Sequence, residues 1–295
     1  IIRKPATLGM ENRKTTVLQA HIDMVPQKNS DVQHDFLKDP IIPYIDGEWV
    51  KAKGTTLGAD NGIGVAAALS ILESNNVKHG NLEVLFTIDE ETGMTGAFGL
   101  KADSLKGEIL LNLDSEDEGE FFIGCAGGIN TTAVLEYKNE SLDTNSYVAY
   151  NIKISGLKGG HSGIDIILGR GNANKLMNRL LWYCTRNFNI KITSIEGGNL
   201  RNAIPREAFA TIIVPFSKEA DFNNYCFSYT NTVKKELAVT DPDVQIEINK
   251  TNLPDYTMDN LSQIAFLNAV YTCPNGVIGM MADVPGVVET STNLA

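Results

Sequence analysis

Gly58-Ala59-Asp60-Asn61-Gly62-Ile63-Gly64, running on into Val65 to Ser74 (VAAALSILES), decides the fold of the first half of this 295-residue chain. From Gly62 to Ser74 the segment is apolar almost all round, as expected for a helix packed against a sheet. Upstream, Thr15 to Ala20 (TTVLQA) is a β-prone run that ends at His21. Downstream, Leu82 to Ile88 (LEVLFTI) and Glu108 to Leu113 (EILLNL) are short apolar runs of the kind found in strands covered on both faces. Between the first strand and the helix, Tyr44 to Lys53 carries an Asp46-Gly47 turn with β-prone flanks and predicts a hairpin. Strand, helix, strand, strand in this order implies an α/β domain reaching about residue 125.

A different pattern follows. Tyr147 to Ser155 predicts a strand, and the loop Gly156-Leu157-Lys158-Gly159-Gly160-His161-Ser162-Gly163 comes directly after it. Ala173, Leu176, Met177, Leu180, Leu181, Cys184 and Phe188 recur at helical spacing, which predicts an amphipathic helix over 171–188. Strands are expected at Ile190 to Ile195, Glu207 to Val214 and Val244 to Ile248, with a turn at Gly197-Gly198-Asn199 and a helix over 218–237. The order β-α-β-β-α-β is the ferredoxin-like α+β arrangement. Two domains are therefore expected, 1–125 and 126–295, with the join inside 120–130. No internal repeat interrupts them.

Composition narrows the function. A hydrophobic fraction of 43% and a charged fraction of 21% are those of a globular chain, not a disordered one. The net charge of −11 repels phosphate backbones, so nucleic acid is not an expected partner. No apolar run approaches the roughly 20 residues of a membrane span. Cys125, Cys184, Cys226 and Cys273 lie far apart without a CxxC pair, which signals neither a thiolate metal site nor a disulfide framework. Each is expected to be a small buried hydrophobe in a reducing, cytoplasmic setting. The start at Ile1 has no Met and no signal-peptide pattern, and Ser291 to Ala295 stops mid-pattern, so a piece of a longer protein is expected.

Four segments concentrate metal-ligand chemistry: His21-Ile22-Asp23, Gly58 to Gly62, Asp89-Glu90-Glu91-Thr92-Gly93, and Asn112-Leu113-Asp114-Ser115-Glu116. Alone, each reads as a solvated turn. Their positions change this: His21 follows one predicted strand, Glu90 and Glu91 another, Asp114 a third, and Asp60 precedes the helix. In an open α/β sheet, ligands bind beyond the carboxyl ends of the strands, so the four should converge. An imidazole among several carboxylates calls for a neutralising cation. A nitrogen/oxygen set without thiolate suits Zn²⁺, with Mn²⁺ or Co²⁺ as substitutes. The carboxylates outnumber the places on one tetrahedral ion, which points to a bridged pair of metals ~3.5–4 Å apart. Asp60 among its glycines is the natural bridge, Asp23 can orient the His21 imidazole, and one of Glu90 and Glu91 can ligate while the other serves as general base.

A competing motif shares the helix. Gly62-Ile63-Gly64-Val65-Ala66-Ala67 fits G-x-G-x-x-A, the outline of a dinucleotide fingerprint, and a nicotinamide-binding oxidoreductase is the alternative reading. Its context is poor, because a polar loop from Lys53 to Asn61 replaces the strand, and an Asp beside a pyrophosphate is electrostatically wrong. Small residues for close helix–sheet packing explain the same positions. A metal-free dimerisation module is a third reading.

Taken together, the four metal segments resemble the successive motifs of the co-catalytic zinc peptidases related to aminoacylase and carnosinase. Leu18 to Lys28 (LQAHIDMVPQK), Gly54 to Gly64 (GTTLGADNGIG), Gly124 to Gly128 (GCAGG), Gly156 to Gly163 (GLKGGHSG) and Asn199 to Ala208 (NLRNAIPREA) resemble, in order along the whole chain, the aminoacyl-histidine (Xaa-His) or cytosol non-specific dipeptidase branch. The resemblance implies that His21 and Asp114 hold one zinc, Glu91 the other, and Asp60 bridges them through a residue that precedes a cis peptide. It implies Glu90 as general base and Asp23 as partner of His21. The second domain would be a lid that closes over a dipeptide substrate and forms a homodimer. There His161 would stabilise the tetrahedral oxyanion, and Asn202 and Arg206 would contact substrate. Read from residues alone, His161 is a loop histidine capping nearby backbone, and Asn202 and Arg206 are turn residues around Pro205. The family's second zinc also needs a histidine from a C-terminal return to the catalytic domain, which the resemblance implies is absent from this chain.

Overall fold

The computed structural model describes residues 1–115, 119–142 and 146–295. The chain divides into two compact units, Ile1–Gly127 and Gly128–Ala295.

The first unit is built on a four-stranded sheet. Its strands are β1 (Ile2–Lys4), β2 (Thr16–His21), β5 (Leu82–Thr87) and β6 (Ile109–Asn112), in the order β1-β5-β2-β6. β2 runs parallel to both β5 and β6, while β1 is antiparallel to β5. The expected hairpin is present as β3 (Pro43–Asp46) and β4 (Trp49–Ala52). Helix α1 (Ala59–Glu73) lies against β2, and a short α2 (Thr95–Phe98) follows the turn after β5. Leu18, Val84 and Ala68 form the small core between sheet and helix, with Ile71, Leu72, Phe86 and Leu113 around it.

α1 packs against the sheet as expected, and one further expectation for this unit, that for β6, is corrected. α1 is apolar all round, yet it buries only the stripe through Asn61, Gly64 and Ala68, and Ile63 and Leu69 face outward. β6, expected to be covered on both faces, is exposed along its length. It is an edge strand, and no described element lies over it. The opposite, amino-terminal rim of the sheet is closed by Glu83. This carboxylate is 2% exposed and accepts from Arg3 Nε (2.9 Å) and from the main-chain N–H groups of Lys106 (2.6 Å) and Gly107 (2.9 Å). Burial pushes Glu83 up, but those three donors hold it below the usual carboxylate range.

The second unit contains β7 (Asn139–Ser141), β8 (Tyr147–Ser155), α3 (Ala173–Phe188), β9 (Lys191–Gly197), β10 (Ala208–Pro215), α4 (Glu219–Glu236) and β11 (Gln245–Thr251). It continues with β12 (Tyr256–Met258), α5 (Asn260–Thr272), β13 (Gly276–Met280) and β14 (Val288–Thr292). The main sheet is antiparallel in the order β11-β8-β10-β9, the ferredoxin-like order 4-1-3-2 for its four strands. α3 buries Ala173, Leu176, Met177, Leu180, Leu181 and Cys184, the stripe that its periodicity predicts. A fully buried leucine such as Leu180 contributes about 1.5–3 kcal/mol over its exposed state.

Strands β12 to β14 and helix α5 were not expected beyond Ile248. α5 had a legible start: Asp259 caps it by accepting from Ser262 N (3.0 Å). It docks through Gln263, whose amide accepts from Ile192 N (2.8 Å) and donates to Thr185 Oγ1 and Ile190 O (both 2.9 Å). The cysteines divide: Cys184 and Cys226 are buried as expected, whereas Cys125 and Cys273 are exposed. No helix among the described residues is long and apolar enough to cross a membrane.

Candidate metal centre

The strand order creates the site. From β2 the chain crosses through α1 to β5 on one side, then returns past β2 to β6 on the other. The crevice at such a reversal opens at the carboxyl end of the middle strand, where His21 is the last residue of β2. Glu90 and Glu91 arrive from the turn after β5, Asp114 from the segment after β6, and Asp60 from the first turn of α1.

His21 is 1% exposed, and its Nε2 lies 3.0 Å from Asp60 Oδ1 and 3.4 Å from Asp114 Oδ1. Ligand atoms of His21, Asp60 and Glu91 all lie within 4.8 Å of one another. On the other edge of the imidazole, Nδ1 is 3.0 Å from the main-chain O of Asp23 and 3.4 Å from its Oδ1. A hydrogen on Nδ1, shared with these oxygens, leaves Nε2 as a lone-pair donor toward the carboxylates, the tautomer a metal requires. The Asp23 carboxylate has a second occupation: it accepts the N–H groups of Glu90 (3.2 Å) and Glu91 (3.1 Å). It thus ties the turn carrying both glutamates to the strand carrying the histidine.

Two residues of this site escaped the reading of the sequence. Asn61 is buried and donates from Nδ2 to the Asp114 carboxylate and to Leu113 O (3.0 Å), which fixes Asp114 from the helix side. The Asp60–Asn61 peptide is cis, as the family resemblance implies. Asp89 adopts φ 63°, tolerable for an aspartate, and accepts from the Thr92 and Thr95 hydroxyls, the latter at 2.7 Å. The Asp-x-x-Thr spacing was the available signal for this turn. Glu116 lies outside the described residues.

The electrostatics are those of crowded carboxylates. Burial, with Asp60 and Glu90 beside it, pushes Glu91 up to about 7. Burial likewise raises Glu90 and Asp114, with His21 opposing in both cases. Burial would lower His21, but Asp114, Asp60 and Asp23 carry it above its ordinary value. Burial raises Asp23, yet the N–H groups of Glu91 and Glu90 bring it below the usual range. One buried imidazole beside Glu90, Glu91 and Asp114, whose carboxyl groups resist losing protons, fits a divalent cation bound by nitrogen and oxygen.

Gly64 of the competing motif has a packing reason of its own. A Cβ there would lie 2.7 Å from Leu113 O and closer still to the Asn61 side chain, whereas one at Gly62 would meet nothing within 4 Å. The second glycine therefore serves helix–sheet packing beneath the acidic cluster.

The second unit assembles its own group. His161 and Ala203 form an antiparallel bridge, with Ser162 N donating to Asn202 O and Ile204 N to Gly160 O, each at 2.8 Å. The His161 and Asn202 segments are thereby one structure. His161 Nδ1 accepts from Gly163 N (3.1 Å) and Ile164 N (3.2 Å), the backbone capping that the residues alone suggest. That assigns the proton of the neutral ring to Nε2. Arg206 donates Nε to Leu157 O (3.3 Å) and lies across Gly159, whose φ is +65°.

Residues 5–151 match the family described as peptidase family M28, and 152–240 match the peptidase dimerisation domain. The chain is 50% identical over 294 residues to the cytosol non-specific dipeptidase of Escherichia coli, covering 100% of this chain and 60% of that protein. It is 39% identical over 69 residues to peptidase T of Salmonella arizonae, 22% of this chain. Among solved structures, the aminoacylhistidine dipeptidase of Vibrio alginolyticus matches with a TM-score of 0.62 and 50% identity over 99% of this chain and 59% of that one. The chain thus spans about three-fifths of the length of the two relatives it matches throughout.

Proposed function

From the similarity of the chain, along its whole length, to a cytosol non-specific dipeptidase, we propose that the intact protein hydrolyses dipeptides, Xaa-His among them, at a metal centre built on His21, Asp60, Glu91 and Asp114. The observation that supports this most directly is the convergence of the His21 imidazole and the Asp60, Glu91 and Asp114 carboxylates at one strand end. In this reading Asp60 would be shared by two zinc ions, with His21 and Asp114 holding one and Glu91 the other. Mn²⁺ or Co²⁺ are workable substitutes. Bound there, zinc would supply Lewis-acid polarisation of the scissile carbonyl and acidify water near neutrality.

The chain's own groups carry the remaining steps. Glu90, raised by burial, takes a proton from the attacking water and returns it to the leaving amine. Asp23 holds His21 in its donor tautomer and keeps Glu90 and Glu91 in register with it. His161, with its proton on Nε2, donates to the developing oxyanion, and Asn202 and Arg206 orient the dipeptide. We assign the catalytic role to residues 1–125 and the lid and homodimer contact to residues 126–295, in line with the peptidase dimerisation domain matched over 152–240. The name of the Escherichia coli relative supports a cytoplasmic location.

The test is Glu90→Ala in the intact protein. Turnover of dipeptides should fall by at least ~10²-fold with zinc content unchanged, whereas Asp60→Asn should lose zinc as well. Appreciable turnover in Glu90→Ala would remove the assignment.

A further inference from the structure

Asn293 follows β14 and lies far from the Asn202 segment in sequence, yet its side chain brackets that residue. Nδ2 donates to Ala203 O (2.7 Å) and to Arg201 O (3.3 Å), the carbonyls on either side of Asn202. The carbonyl between them, that of Asn202 itself, accepts from Ser162 N at 2.8 Å. Three consecutive carbonyls of an irregular loop are therefore held by donors from outside it. One donor comes from the His161 segment and the other from the chain after β14.

Asn293 is itself anchored. The next residue, Leu294, donates its N–H to Asn275 Oδ1 (2.9 Å), and its carbonyl accepts from Asn172 Nδ2 (2.9 Å). Asn172 also donates to Asn275 Oδ1 (2.9 Å) and caps α3 by accepting from Lys175 N (3.1 Å). A line of asparagine amides thus runs from the start of α3, a rigid helix packed on the core, to the backbone around Asn202.

We propose that Asn293 is a positioning residue, whose amide sets the register of the Asn202 loop against the His161 segment and so fixes where Asn202 meets the substrate. This rests on the reading of Asn202 as a substrate contact. Asn fits the task because only a donor can satisfy two carbonyls at once, and Asp at this position would set a carboxylate against them.

Two measurements test it. In the 295-residue chain, Asn293→Ala should speed hydrogen exchange at Ser162, Ala203 and Ile204 by about tenfold, with β10 and α3 unchanged. Uniformly faster exchange would mean a general loss of stability, and unchanged exchange would mean the clamp does nothing; either overturns the proposal. In the intact protein, Asn293→Ala should raise KM by ~3–10-fold while kcat stays within about twofold and zinc content is unaltered. Asn293→Asp should be at least as impaired. Because Asn293 acts through Asn202, adding Asn293→Ala to Asn202→Ala should cost no more than about twofold further. Full additivity, or a normal KM in Asn293→Ala beside a raised one in Asn202→Ala, overturns the positioning role alone. A normal KM in Asn202→Ala removes the substrate-contact reading and this inference with it, while leaving the metal centre standing.

Discussion

Two glycines two residues apart make opposite predictions when changed to alanine. Both Gly62 and Gly64 lie in α1, whose regular turns begin at Gly62 after the non-helical Asp60 and Asn61, and alanine is favoured over glycine by up to about 1 kcal/mol in a helix interior. At Gly62 the new methyl meets nothing within 4 Å, so Gly62→Ala should realise that gain and raise Tm by a few degrees. At Gly64 the methyl would stand 2.7 Å from Leu113 O and inside contact distance of the Asn61 side chain. Leu113 O is main chain on the segment leading to Asp114, so it cannot swing aside as a flexible side chain would. Overpacking of this kind costs ~1–3 kcal/mol. Displacing Asn61 also breaks its bond to the Asp114 carboxylate, worth roughly 1.5–3 kcal/mol for a charged acceptor. After the propensity gain, Gly64→Ala should be destabilised by about 1.5–5 kcal/mol, a difference in sign from Gly62→Ala. Thermal melts of the metal-free chain, with hydrogen exchange in β2 and β5 to localise the effect, would measure both variants. Equal stability for the two would refute the close packing of α1 on the Asp114 segment.

Asp23→Asn keeps the volume but can accept at only one oxygen, so one of the Glu90 and Glu91 N–H groups loses its partner. Zinc affinity, measured by competition with a chromogenic chelator, should fall ~10–100-fold; a change below threefold would contradict the tie between strand and turn. In the metal-free chain, Glu91 sits at about 7 against 4.5 unperturbed, so the folded state keeps a proton that the unfolded chain releases between these values. Stability should therefore decline as pH rises through that window and level off above it, by about 1–2 kcal/mol after solvent screening. Urea melts in chelator at pH 5 and 7.5 should show the decline, and Glu91→Gln should lessen it; an unchanged slope in that variant would place the effect elsewhere.

Much of this architecture was legible because periodicity and punctuation agree. The spacing of Leu176, Met177, Leu180 and Cys184 marks the buried face of α3, and Asp46-Gly47 marks the hairpin. The convergence of His21, Glu91 and Asp114 followed from their places after parallel strands, whose carboxyl ends come together whatever lies between, and that of Asp60 from its place at the start of the crossover helix. What stayed hidden depends on contacts between distant segments. β1 is three residues long and exists only because β5 pairs with it. The exposure of β6 could not be read from apolar residues, since composition states what a strand could pack against and not what is there. The roles of Asn61 and Asn293 lie in amide directions, which a sequence does not encode locally.

The Glu83 clamp gives the first unit's sheet two ends of opposite character. At one end a single carboxylate is ringed by three donors; at the other, several carboxylates crowd around one imidazole. Rigidity and reactivity are therefore segregated along the length of the same strands. The contacts that fasten β1 to β5 lie apart from the His21 end, and a change at one end leaves the hydrogen bonds of the other in place.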